Sequence, residues 1–217
     1  MSIKHFLGAT ALAAGLAFSL SPAVSGTIEA HQHISHVMKN WGETPNAEGL
    51  LPVALADAEV AAKHAGYGAA DTSDLTSMKL HAGHVRDAIA PEGDVAVGSG
   101  FGVKRAAKGV VQHVNLAADS KDASKAVKTH AVHVATSAQN TIGRVHYMMK
   151  HIKAIDAATT AEDAKPHMEK LHTLAKALIE GTDKDGDGKI TWKEGEGGLA
   201  ASNKHMGFMM KAENISY

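Results

Sequence analysis

The sequence predicts an all-α fold, a bundle of four to five amphipathic helices, and three observations carry that expectation. Apolar residues recur at helical spacing through most of the chain, so that long segments present one apolar face. The apolar content is 44% but the aromatic content only 4%, so Ala, Val, Leu and Met supply the core. Such a core suits closely packed helices better than a sheet, which favours aromatic and β-branched residues. No segment reads as a strand and no internal repeat is evident. A chain of 217 residues is expected to form one domain, or one and a small appendage.

The elements follow in order. Met1 to His5 carries Lys4, Phe6 to Leu20 is apolar and small, and Ser21-Pro22 leads to Ala23-Val24-Ser25-Gly26. This is the three-part plan of a secretory signal peptide, with Ala23 and Ser25 at the −3 and −1 places of a cut after Ser25. The apolar run is short of the ~20 residues that a spanning helix needs. Residues 1–26 are therefore expected to be removed, with no membrane association afterwards and a periplasmic or secreted destination. Thr27 to Trp41 is a short His-rich opening segment, with the character of a flexible metal-capturing arm at His31-Gln32-His33-Ile34-Ser35-His36. Pro45 marks a loop over Gly42 to Gly49. A helix is expected from Leu50 to Gly66, and a second, capped by Asp71 or Ser73, to about Ala90 before Pro91-Glu92-Gly93. Val95 to Gly102, with three glycines, reads as a loop. Val103 to Ala118 has an apolar face. Asp122 or Ser124 opens a long helix to about Ala158, and Thr160 caps another from Ala161 to Ile179, where Pro166 is tolerable only in the first turn.

Charge and composition exclude several function classes. The formal charge is −1 and the pI near 7.0, which leaves no nucleic-acid footprint. There is no cysteine, hence no disulfide, no thiolate metal site and no covalent haem attachment. No His-Glu-x-x-His, nucleophile–base pairing, phosphate loop or dinucleotide fingerprint occurs, so a binding protein is expected and not an enzyme.

Asp183-Lys184-Asp185-Gly186-Asp187-Gly188-Lys189-Ile190-Thr191-Trp192-Lys193-Glu194 carries the most specific spacing. A hard cation such as calcium takes six to eight oxygens at about 2.3–2.6 Å, and a 12-residue loop offers them from positions 1, 3, 5, 7, 9 and 12. Those positions are Asp183, Asp185, Asp187, the Lys189 carbonyl, Thr191 and Glu194, with Gly188 at the sharp turn and apolar Ile190 at position 8. From His172 to Met210 the chain resembles an EF-hand. The resemblance implies a helix-loop-helix, a bound Ca2+, and ligation by those six residues. It departs from the family's plan in two places. No second loop is present to pair with, which makes a homodimer through the unpaired loop a candidate assembly. Gly195, Gly197 and Gly198 also weaken the exit helix by about 1 kcal/mol each. Residues 27–171 are then a His-rich bundle and 172–217 a calcium-binding segment packed on it.

Fifteen histidines are many for this length. Positions three or four apart share a helical face, which pairs His33 with His36, His81 with His84, and His130 with His133. Each pair could chelate Zn, Cu or Ni with a third group from elsewhere. His130 and His146 flank the apolar stripe of the long helix, and His81, His113, His167 and His205 lie near the edges of theirs. Such flanks point into seams between helices, where imidazoles could hold a transition metal or, as paired axial ligands, a non-covalent haem. His133 and His151 are about 27 Å apart along one helix and cannot share an ion. His205-Met206-Gly207-Phe208-Met209-Met210 mixes imidazole and thioethers, a combination suited to Cu(I). The expected ligands are thus metal ions: Ca2+ first, a transition metal at the histidines second, haem third.

Overall fold

A computed structural model describes residues 28–95 and 97–216. The expected signal segment, 1–26, lies outside the described residues. Among these residues all regular structure is helical: α1 (Glu29–Met38), α2 (Leu50–Ala70), α3 (Leu75–Ile89), α4 (Val103–Asp119), α5 (Lys125–Ala157), α6 (Ala161–Glu180) and α7 (Leu199–Ala212), with a 3-10 turn at Pro45–Ala47. The all-α class stands, with seven helices among the described residues: five over the expected bundle segments, one after the acidic loop as expected, and one more at the start. The opening His-rich segment is no flexible arm: it forms α1, and Ala30, Ile34 and Val37 bury its inner face. The last helix, α7, buries Leu199, Ser202, Met206 and Met209.

The longest helix, α5, is the axis of the molecule, packing against α4, α6 and α7. α2 packs against α3, α4 and α6, while α1 lies on α4. The buried side chains form one continuous core, Ile34, Leu51, Met78, Val110, Ile152, Met168 and Leu171 among them. Small residues let the helices approach. A Cβ on Gly68 would come within 2.8 Å of the Met168 thioether, so glycine there sets the α2–α6 distance. Among the described residues no helix is long and apolar enough to cross a membrane.

Side-chain caps open three of the seven helices. Ser124 accepts the Val127 N–H at 3.1 Å and Thr160 the Asp163 N–H at 3.2 Å. At α3 the cap is Asp74, which accepts the Ser77 N–H at 3.0 Å, in place of the expected Asp71 or Ser73. Asp71 instead accepts from Ser73 in the turn before it. α2 continues past Gly66 to Ala70, because its buried positions continue to Gly68. Pro166 sits in the second turn of α6, not the first. The N–H it lacks would have met the carbonyl of Glu162, at the exposed start of the helix, where water can serve instead.

Candidate metal centres

Three seams of the bundle each bring three histidines together. α1 contributes His33 and His36, and α4 faces them with His113. α3 contributes His81 and His84, faced by His64 of α2. α5 contributes His130 and His133, faced by His205 of α7. In every trio two imidazoles stand at i and i+3 on one helix and the third crosses the seam.

The nitrogens that converge are all Nδ1. His113 Nδ1 lies 3.0 Å from His33 Nδ1 and 3.4 Å from His36 Nδ1. His64 Nδ1 is 3.2 Å from both His81 and His84 Nδ1. His205 Nδ1 is 3.2 Å from both His130 and His133 Nδ1. Hydrogen bonding alone cannot satisfy this arrangement. A neutral imidazole nitrogen either donates one proton or accepts one, not both, so the cross-seam Nδ1 can serve only one of its two neighbours well. An ion between the three resolves the conflict. With metal–nitrogen bonds of about 2.0–2.1 Å, tetrahedral ligands stand about 3.3–3.4 Å apart, close to the separations found.

The electrostatics favour neutral imidazoles, the form that binds metal. Burial pushes His113 down to about 4, with the nearby His36 and His33 adding to the effect. Burial likewise brings His205 down to about 4, helped by His133, His130 and Lys204. His36, His64, His81 and His133 are lowered too, by burial first and by neighbouring histidines second. His113 is only 6% exposed.

Each trio carries an aromatic wall. Trp41 packs edge-on against His36 and His113, with ring centroids 4.9 and 4.6 Å away. Tyr67 lies 5.7 Å from His64 and 5.4 Å from His81. Trp192 stacks on His133 at 4.0 Å, and Phe208 sits 5.7 and 5.6 Å from His130 and His205. In a chain with nine aromatic residues, both tryptophans border a trio.

Of the histidines singled out from sequence, His33, His36, His81, His84, His113, His130, His133 and His205 fall in trios. His146 does not; it is exposed and touches the ring of Tyr147. His167 meets His151 of α5 instead of joining a trio. His64 was not anticipated, nor were Trp41, Tyr67 and Trp192 as neighbours of ligands. A signal existed: His-x-x-His-Val occurs at 33–37, 81–85 and 130–134, so the chain does contain a short recurring motif. The valine is buried in all three.

The acidic loop lies between α6 and α7, and α6 runs unbroken across residue 172. Oxygens of Asp183, Asp185 and Asp187 lie within 4.8 Å of one another. Asp183 accepts the N–H of Gly186 at 2.8 Å and of Gly188 at 2.9 Å, and Asp187 that of Lys189 at 2.8 Å. Gly186 and Gly188 have φ of 77° and 80°, which glycine adopts without a Cβ penalty. The far end of the loop differs from the expected plan. Glu194 is exposed and outside the aspartate cluster, and the next helix begins only at Leu199. The carboxylate that closes back on the loop is Glu196, which accepts the N–H and hydroxyl of Thr191. α5 fastens this end: Arg144 donates to the carbonyls of Gly195, Glu196 and Gly197, and the Asn140 amide to those of Lys193 and Gly197.

Compared with known proteins, the chain matches no family model, no curated protein and no solved structure.

Proposed function

We propose that this protein binds three transition-metal ions, one in each histidine trio, and acts as a metal-holding protein and not as an enzyme. One observation carries this: nine imidazoles, in three separate seams, meet in threes through the same nitrogen at 3.0–3.4 Å. One such cluster could be incidental packing. Three with the same ring nitrogen, the same i, i+3 spacing and an aromatic neighbour have a common cause. Neutral, nitrogen-only sites suit borderline ions, zinc and copper above all, and copper stands above zinc in intrinsic affinity. Two axial imidazoles on opposite faces of a porphyrin would leave no place for a third nitrogen within 3.4 Å, so a bare ion suits the trios better than haem. An exported protein is the setting this reading favours, where such ions are captured or buffered.

The test is native mass spectrometry of the full chain titrated with zinc and, separately, with copper. Three tightly held ions per chain are expected, and removing one cross-seam histidine (His64→Ala, His113→Ala or His205→Ala) should remove one of the three each time. A wild-type chain that takes up neither metal would defeat the proposal.

A second reading is favoured by the loop. The convergence of Asp183, Asp185 and Asp187 around positive-φ glycines supports Ca2+ there, with the Lys189 carbonyl and Thr191 as further donors. For Glu194 to complete the shell, its carboxylate must swing toward the aspartates. Calcium titration of wild type and of Asp183→Asn and Glu194→Gln variants tests it: equal uptake by all three chains, or uptake by none, would end this reading.

A further inference from the structure

The seam between α5 and α6 holds a fourth pair of imidazoles. His151 Nδ1 lies 3.1 Å from His167 Nδ1, the same nitrogen and the same separation as in the trios. Ring orientation adds a register. In each trio the first histidine of the His-x-x-His pair stands 5.2–5.4 Å from the cross-seam ring, inclined by 35–37°. The second stands 4.5–4.8 Å away and nearly perpendicular, at 70–75°. The His151 and His167 rings are 5.3 Å apart and inclined by 47°, nearer the first kind of contact.

Burial gives the same register independently. Around His130 the residues at −3, +1 and +4 are Val127, Ala131 and Val134, all buried. Around His151 the same offsets give Met148, Ile152 and Ile155, again all buried. Those offsets are buried around His33 and His81 as well. The cross-seam side follows suit. The residues at −3, +1 and +4 of His167 are Ala164, Met168 and Leu171, buried like those around His64, His113 and His205. His151 therefore takes the place of a first histidine. Three residues on, where His36, His84 and His133 stand half-buried, α5 has the half-buried Ala154.

We propose that His151 and His167 form a fourth metal site on the same helical frame, with Ala154 in the place of the missing third imidazole. The ion there keeps two protein ligands and leaves its remaining positions to water or to a donor brought by another molecule. It is held more weakly than in the trios, both for want of a ligand and because the Lys170 ammonium is close enough to act on His151. With two protein ligands against three in each trio, it is the site that exchanges its ion most readily. The inference rests on the three-trio proposal above.

The experiment is zinc titration of the full chain against a competing chelator, read by native mass spectrometry. Wild type is expected to fill three sites and then a fourth at about 100-fold higher free zinc, as befits a site short of one ligand. Ala154→His should bring the fourth ion into the range of the other three. His151→Ala should abolish the fourth and leave three, and His167→Ala is a second variant to the same end should His151→Ala unfold. If Ala154→His, folded by circular dichroism, still stops at three, the fourth site is wrong and the trios stand. A fourth ion that persists in both His151→Ala and His167→Ala also sinks it. If wild type binds no zinc at all, both proposals fall together.

Discussion

Removal of one cross-seam imidazole is the perturbation with the most readable consequence. Consider His205→Ala, which leaves His130 and His133 on α5 without their partner on α7. An ion that binds only the folded state stabilises it by about 2.7 kcal/mol when free ion is at 100 times Kd. Three independent trios then contribute about 8 kcal/mol, and the variant forfeits about one third of that. For a chain of this size 1 kcal/mol corresponds to roughly 2–4 °C in Tm. Zinc should therefore raise the wild-type Tm by roughly 16–32 °C over chelator-treated protein, and raise that of His205→Ala by roughly 5–11 °C less. Differential scanning calorimetry with buffered free zinc reads both. The control is His146→Ala, whose exposed ring belongs to no trio. If His205→Ala gains as much from zinc as wild type does, or if His146→Ala loses as much as His205→Ala, the trios are not the ligands.

Acid should weaken the metal-free protein in a defined window. Burial holds His113 and His205 at about 4 in the folded protein against the ordinary 6.5, so between those values the unfolded chain binds more protons. Stability is fully present above pH 6.5 and declines as pH falls toward 4; urea midpoints that stay constant across that range would contradict it. Proton competition should release metal over the same interval, measured by dialysis at stepped pH. The only two tryptophans, Trp41 and Trp192, border separate trios, so copper should quench fluorescence in two steps, and Trp41→Phe should leave only the step of the α5–α7 site. Arg144 is 7% exposed and its guanidinium serves three carbonyls of the 195–197 segment. Arg144→Met leaves the Gly195 carbonyl without its donor, while those of Glu196 and Gly197 keep the Thr182 N–H and the Asn140 amide, so a loss of about 1–3 kcal/mol in urea unfolding is expected, against less than 1 kcal/mol if the segment simply rehydrates.

The local grammar of the chain was sufficient for much of the fold. Helical spacing of small apolar residues located α2 to α6, and Ser124 and Thr160 were legible as caps because a cap is a contact within four residues. The His-x-x-His pairs were legible for the same reason: i and i+3 share a face whatever the rest of the chain does. Asp74 displaced Asp71 as the cap of α3 because several acceptors lay in one turn and only the helix's packing chose its first residue. α1 resembles an arm in sequence because ten residues with three histidines look polar until α4 supplies a surface for Ala30, Ile34 and Val37.

What the sequence determined unaided was composition and period: an all-helical chain, half-chelates at fixed spacing, and three aspartates at alternate positions of one loop. Tertiary structure alone decided which helix faces which, and so which lone histidine completes each pair. His64, His113 and His205 stand 17, 77 and 72 residues from the second or first histidines they meet. Periodicity fixes a side chain's direction about its own axis but carries nothing about the neighbour across the seam, which is chosen by the burial of the whole core at once.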